Sequence, residues 1–489
     1  MQTYLSWLKM LSLPLAILGL SASVAQAQTD WTTFGFDQQR TGYNPYETTL
    51  SQANVSRLGV KWSTDVWGTM LTQPTVVNNV MTAAGLKTLV YVATLYGDVD
   101  ALDAATGKLV WQVSMPAVQT NCGDFGAAMG FAGVIGTPTI DKANNRMFLV
   151  AGDGYLHAIS LSNGQELPGF GVQILTGADR PPHTVAYGSP TFDATHGWVY
   201  VATASVCDFP PYHGQVIQVD VNPKAPKLLN RFYVMQSVNG VTPSGGGIWG
   251  PGGVSIPADH VAVYAATGNA IGAQNAPYAE SILRLSPNLA LTAYNTQTFT
   301  NGGDQDYGAT PLLYSPPGCP AQLAAMNKSG ALVIYDRGVA VGYGPRQRLQ
   351  VSGGYNADAG DFIGIPAYDP TRNRMFLGNP SDSAIYQHGL VALKMGANCQ
   401  WGLAWQAQTG VNNSPDNNPM IPPTVANGVV YYSNGLGSQL FAYNADTGQQ
   451  LWNSGAIISG DVLAAPTVVN GTVYAASYLS HTVFAFGLQ

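Results

Sequence analysis

The chain has 489 residues, of which 46% are hydrophobic and only 10% charged, with 56 Gly and 31 Pro. So much turn chemistry with so little charge argues against helices and for many short strands. A formal net charge of -7, with 20 Lys and Arg that never cluster into a run, argues against nucleic acid or an anionic membrane surface as a partner.

In chain order, residues 1–27 read as a secretory signal peptide: Lys9 supplies the positive region, residues 10–20 the apolar stretch, and Ala25-Gln26-Ala27 the small-residue cleavage site. The apolar run is too short to span a bilayer, and no Cys follows it to carry a lipid, so a periplasmic or secreted protein without a transmembrane anchor is expected. Residues 28–57 form a polar-aromatic lead-in, WTTFGFDQQRTGYNPY at its core. The strand-like LGVKWSTD at 58–65 follows, with nothing before it to pair with.

From residue 58 to 489 the chain repeats itself. Residues 101–111, ALDAATGKLVW, return as 442–452, AYNADTGQQLW. In each copy an apolar strand runs into an Asp or Asn turn with Thr-Gly at its corner, and a second strand ends on Trp. Asp103 and Asn444 are placed to bond their own backbone two residues on, and Gly107 and Gly448 to take positive φ where the chain reverses. Upstream of each copy stands a Pro-Thr strand start, Pro74-Thr75 and Pro423-Thr424, followed by a Val-Tyr run. Units of this kind begin near Pro74, Thr137, Ser189, Gly250, Thr310, Ile365, Pro422 and Ala465.

The last unit stops before its Thr-Gly turn, and Lys61-Trp62-Ser63 resembles the missing strand. Closing the ring in this way removes both exposed sheet edges. The expected fold is therefore all-β: an eight-bladed β-propeller of four-stranded antiparallel blades, with the N-terminal strand closing the last blade. Trp62, Trp111, Trp405 and Trp452 should pack between blades.

Four cysteines, Cys122, Cys207, Cys319 and Cys399, sit in loop-like contexts rich in Gly, Pro or Asn. In an exported protein they are expected to be disulfide staples. Three pairings are possible, and Cys122–Cys207 with Cys319–Cys399 is the one that joins consecutive repeats.

At these repeats, and in the lead-in from Trp31 through Arg40-Thr41-Gly42 to Trp62, the sequence resembles the pyrroloquinoline-quinone (PQQ) repeat propellers, the quinoprotein alcohol dehydrogenases. The resemblance implies PQQ and a Ca²⁺ or lanthanide ion as cofactors. Gly245-Gly246-Gly247-Ile248-Trp249-Gly250 is similar to the segment whose Trp lies under the quinone, which makes Trp249 cofactor-binding. Thr267-Gly268-Asn269 resembles the family's Gly-Asn metal ligand, so Asn269 is a metal candidate.

Asp304-Gln305-Asp306 resembles the family's Asp-x-Asp. Asp304 would be catalytic base and metal ligand, and Asp306 a second metal ligand. Lys328, in Asn327-Lys328-Ser329-Gly330, falls where a basic residue contacts the quinone oxygens. A carboxylate pair and an amide suit a hard cation, and a polarised quinone beside a carboxylate suits hydride removal from an alcohol or sugar. His183 and His213 lie in long loops of the kind that collect binding residues. No Cys-x-x-Cys-His haem attachment motif is present, so electrons would pass to a separate carrier.

The chain departs from the family at four places. It has Asn121-Cys122-Gly123 instead of adjacent cysteines, no acid near residues 68–73, Asp208 as the only carboxylate before His213-Gly214, and Gly303 instead of Trp before the Asp pair. These departures motivate a second expectation, a non-catalytic propeller that binds a protein, peptide or glycan.

Overall fold

The computed structural model describes residues 28–122, 130–222, 224–237, 240–272, 276–297, 305–353, 364–409 and 421–489. The signal-peptide reading and Asp304 lie outside the described residues.

The strands form eight sheets in chain order, each a blade of a closed ring, and a separate two-stranded pair. Blade 1 shows the pattern: Thr75–Thr82, Gly85–Ala93, Asp98–Asp103 and Leu109–Ser114 pair antiparallel in sequence order. Its Thr-Gly corner forms as the residue types demand. Asp103 Oδ1 accepts from the Ala105 amide at 2.9 Å, and Gly107 takes φ +71°. Asn444 and Gly448 repeat this in blade 7, at 2.9 Å and +75°. Apolar faces of adjacent blades interlock, as where Val77, Leu89 and Ala101 of blade 1 meet Ile140, Met147 and Ile159 of the next.

Closure occurs as expected. Leu58–Asp65 pairs antiparallel with Thr482–Leu488, Trp62 opposite Ala485, and so completes blade 8. Two blades differ from the four-stranded expectation. Blade 4 has three strands, Val263–Ala266, Ser281–Leu285 and Leu291–Thr296, and its innermost position is held by one bridge, Ser255 to Tyr264. Upstream, the Gly-rich backbone is pressed against blade 5: a Cβ on Gly250 would lie 2.2 Å from the Thr310 amide nitrogen. Blade 7 gains a fifth strand, Tyr43–Asn44, parallel to Thr424–Ala426.

That extra strand belongs to the lead-in, which runs round the ring instead of hanging from it. Backbone bonds join Trp31 to Val76, Thr32 to Ile140, Gln38 to Ile256, Gln39 to Leu313, Thr41 to Tyr368 and Gly42 to Val425. These are the inner segments of blades 1, 2, 4, 5, 6 and 7. Blades 3 and 8 are reached by side chains, Gln38 Nε2 donating to the Phe192 carbonyl and Asn44 Nδ2 to the Val468 carbonyl. The buried Arg40 spans the hub. Its guanidinium donates to Thr33 Oγ1, Phe34 O, Thr191 Oγ1 and Val254 O, and burial lowers its pKa to about 10.

Two sequence signatures are explained by blade-to-blade contacts. The Pro-Thr strand starts form a hydroxyl-to-carbonyl chain around the hub. Thr467 Oγ1 donates to Pro74 O and Thr424 Oγ1 to Pro466 O, both at 2.6 Å, and Thr139 Oγ1 to Pro190 O at 2.5 Å. The Trp that ends a blade docks on the next blade, in three cases at its glycine corner. Trp62 donates to Ala104 O, Trp111 to Leu161 O and Trp405 to Ala445 O at 2.9–3.0 Å, and their rings cover Gly107, Gly164 and Gly448. Trp452 donates to Leu58 O at 2.9 Å. Disulfides join Cys122 to Cys207 and Cys319 to Cys399, the pairing that links consecutive repeats.

Candidate functional site

In an antiparallel blade the first-to-second and third-to-fourth connections lie at one end, and the second-to-third and blade-to-blade connections at the other. Trp249 lies in the connection from blade 3 to blade 4, Asn269 in the second-to-third connection of blade 4, Asp306 between blades 4 and 5, and Lys328 in the second-to-third connection of blade 5. All four therefore belong to the end opposite the Thr-Gly corners.

They also meet. The carboxylate of Asp306 is fully buried. Its Oδ1 accepts from the Asn269 amide at 2.7 Å, and its Oδ2 lies 3.0 Å from Lys328 Nζ. The Lys328 backbone amide donates to Asp306 O at 2.9 Å, and Asn327 Nδ2 donates to Gln305 O and Asp306 O, so the blade 5 turn clasps the Asp306 segment. Gly268 is the pivot of the site. A Cβ there would stand 2.0 Å from Asp306 Oδ1 and 2.7 Å from Trp249 Nε1, so only glycine lets both side chains close on one backbone position. The Asn269 side-chain oxygen is buried without a hydrogen-bond partner.

Trp249 is almost wholly buried and belongs to an axial cluster with Leu95, Ile135, Tyr187, Tyr212 and Tyr432. The rings of Tyr187 and Tyr212 meet it edge-on at 5.5 and 6.1 Å. Cys122, bonded to Cys207, packs in the same cluster. Further along the axis a cavity of about 20 Å³ lies between Phe34 of the lead-in and Tyr187, Pro251 and Leu463.

Two features of this end were not legible as motifs. Glu280, eleven residues after Asn269, is half-buried, and burial, then the charge of Asp306, pushes its carboxyl up to about 6. No spacing rule marks it, because the contact exists only once blades 4 and 5 pack. His213 is buried rather than solvated. Its Nδ1 donates to Asp179 Oδ1 at 2.5 Å and its Nε2 to the Thr242 carbonyl at 3.2 Å, while Tyr233 Oη donates to Asp179 Oδ2 at 2.9 Å. The Asp179 hydrogen bond raises the His213 pKa above its ordinary value. Burial would raise Asp179, but the bonds from His213 and Tyr233 outweigh it and lower its pKa. Because the Gly214 amide donates to Gly245 O at 3.0 Å, this ion pair anchors the Gly-rich approach to Trp249.

Among the described residues no group of three His, Cys, Asp or Glu side chains is placed to hold a metal. What the site offers a cation is the partnerless Asn269 side-chain oxygen and the Asp306 carboxylate, which accepts from the Asn269 backbone amide, with Glu280 near, an all-oxygen set that fits a hard ion. What it offers a quinone is the Trp249 indole and the Lys328 ammonium. No helix among the described residues is long and apolar enough to cross a membrane.

The molecule is thus a closed, eight-bladed β-propeller with an aromatic and polar site at one axial end. Residues 31–178 match the family described as glucose/ethanol/alcohol dehydrogenase, beta-propeller domain, and residues 398–486 match that of the outer membrane protein assembly factor BamB. Two segments of the chain thus match families of PQQ-repeat β-propellers. Among curated protein sequences, none matches it.

Among solved structures it is similar to a quinohemoprotein alcohol dehydrogenase of Pseudomonas putida HK5, at TM-score 0.66 and 18% identity over 94% of this chain and 80% of that one. It is also similar to a europium-containing methanol dehydrogenase, at 0.68 and 15% over 94% and 98%. BamB of Moraxella catarrhalis gives 0.52 and 15% over 88% and 98%. At such identities the likeness is one of fold. The two matched segments hold the docking Trp residues and the ring closure, whereas the blades that carry Trp249, Asn269, Asp306 and Lys328 lie between them.

Proposed function

We propose that the protein is an exported quinoprotein-type dehydrogenase that oxidises an alcohol or a sugar. The single observation that carries this reading is the convergence of Trp249, Asn269, Asp306 and Lys328 at one axial end, with the Asn269 oxygen buried and partnerless. In this reading Trp249 and Lys328 hold PQQ, and Asn269, Asp306 and Asp304 hold a Ca²⁺ or lanthanide ion. PQQ held by these residues would supply the hydride acceptor for the carbinol carbon. Asp304 takes the hydroxyl proton of the substrate. Lys328 carries a positive charge toward the quinone oxygens and neutralises Asp306. The aromatic cluster around Trp249 excludes water from the axial end. The first 27 residues direct export, and a separate carrier removes the electrons.

The test is a titration of purified apoprotein with PQQ and Ca²⁺ or a lanthanide. The reading expects retained quinone absorbance and dye reduction with an alcohol or sugar, both lost in Trp249→Ala. No retained absorbance would sink it.

A non-catalytic propeller that binds a protein, peptide or glycan is the second reading. It is favoured by the Lys328 ammonium, which already meets the charge of Asp306 without an added ion. Under it, Asp304→Asn and Asp306→Asn leave partner binding unchanged.

A further inference from the structure

Blade 1 buries two carboxylates that the axial site does not use. In the strand Asp98–Asp103 side chains alternate. Val99 and Ala101 pack with Met147 and Ile159 of blade 2, whereas Leu102 packs with Trp62 and Val483 of blade 8. Asp98 and Asp100 share the Leu102 face and so point into the seam between the first and last blades. Across the ladder Asp98 stands opposite Ser114 and Asp100 opposite Gln112. Four oxygen-bearing side chains therefore occupy one square of adjacent positions on a single face.

Asp98 is 7% exposed and Asp100 only 1%. Ser114 Oγ donates to Asp98 Oδ1 at 2.5 Å, but neither carboxylate oxygen of Asp100 makes a hydrogen bond of good geometry. Lys87, on the adjacent strand, is committed to Asp103. An anion buried with no organised donor is costly unless a counter-charge arrives. Burial pushes the Asp100 carboxyl up to about 6; Gln112 opposes that shift and Asp98 adds to it. Gln112 and Ser114 are exposed, so the square is open to solvent on one side.

We propose that Asp98, Asp100, Gln112 and Ser114 form a site for a hard divalent cation, with Ca²⁺ as its ligand, at the seam where the head of the chain closes the ring. The donors are all oxygen, with no His or Cys to attract a softer metal. The carboxylates reach the ion from alternate positions of one strand, and water completes its shell from the open side. Bound there, the ion ties the third and fourth strands of blade 1 together towards the end opposite the Thr-Gly corner on which Trp62 docks. The site is independent of the axial one, which lies in blades 4 and 5, and of the function proposed for it.

The experiment uses the full chain carrying Asn269→Ala and Asp306→Asn, so that no ion at the axial end contributes. After chelation, calcium chloride is titrated in by calorimetry and thermal unfolding is followed. The expected result is saturable heat and a rise in melting temperature of about 2 °C or more at saturating Ca²⁺. Adding Asp100→Asn abolishes both, while the calcium-free variant melts no lower than its parent, because the isosteric amide removes the buried charge. Asp98→Asn, tested alongside, loses the response as well. Absence of heat and of a melting shift in the parent, or a response that persists in both variants, overturns the proposal.

Discussion

The indole of Trp62 lies flat against Gly107: a Cβ added to that glycine would stand 2.7 Å from the ring, and Trp62 Nε1 donates to Ala104 O at 3.0 Å. This contact joins the first strand of the ring to blade 1, and Trp111 on Gly164 and Trp405 on Gly448 repeat it. Gly107 therefore answers two demands at once, positive φ at the corner and a bare surface for the neighbouring Trp.

Gly107→Ala should cost clearly more than Gly197→Ala. Both glycines have positive φ, +71° and +72°, but a Cβ on Gly197 meets nothing within 4 Å. The second change carries only the backbone penalty of about 1–2 kcal/mol, and the first adds displacement of Trp62. Chemical denaturation of the two variants measures the difference, and equal losses would remove the docking role.

Lys328→Met should destabilise the fold by about 3–5 kcal/mol, because it leaves Asp306 buried beside an uncharged partner. The double change with Asp306→Asn should recover part of that loss. A double-mutant cycle on unfolding free energies reads the coupling; additive effects would show that the pair does not interact.

Stability should depend on pH through the His213–Asp179 pair, with two flanks of opposite sign. The His213 pKa is raised in the fold, so its contribution is fully present below the unfolded value of about 6.5 and is lost as pH rises through the folded value. The Asp179 pKa is lowered, so its contribution is present above about 3.9 and is lost as pH falls through the folded value. The difference in melting temperature between the wild type and His213→Gln should thus be largest in the mildly acidic range and shrink on either side. A flat difference across pH would contradict the clamp.

Replacing Cys319 and Cys399 by Ser should lower stability by about 2–4 kcal/mol, since the bridge closes 80 residues of chain between blades 5 and 6. Denaturation under non-reducing conditions checks it, and the variant should keep the ligand binding of the wild type because the bridge lies away from the axial cluster around Trp249.

How much of this was legible in the sequence differs between scaffold and site. The blade count, the closing strand at 58–65 and the docking Trp residues follow from local rules, because turn chemistry and strand alternation act over a few residues and repeat. The Pro-Thr starts were visible as a motif, but their bonds to the next blade were not, since the partner carbonyl lies 42 residues or more away. The three-stranded blade 4 was missed because its inner segment carries the same strand-like residues as the others yet pairs through one bridge alone, Ser255 to Tyr264.

The sequence by itself determined the ring, because every blade carries the same local instructions and a ring is the arrangement that leaves no edge bare. It also singled out Trp249, Asn269, Asp306 and Lys328, but only as residue types in an order. Tertiary structure alone decided that Trp249 and Asp306 close on Gly268, that the charge of Asp306 reaches Glu280, that His213 is buried against Asp179, and that Asp98 and Asp100 face a seam. The physical reason is that burial, and with it the strength of every charge and the need of every polar atom for a partner, is set by packing between blades, which no stretch of a single repeat contains.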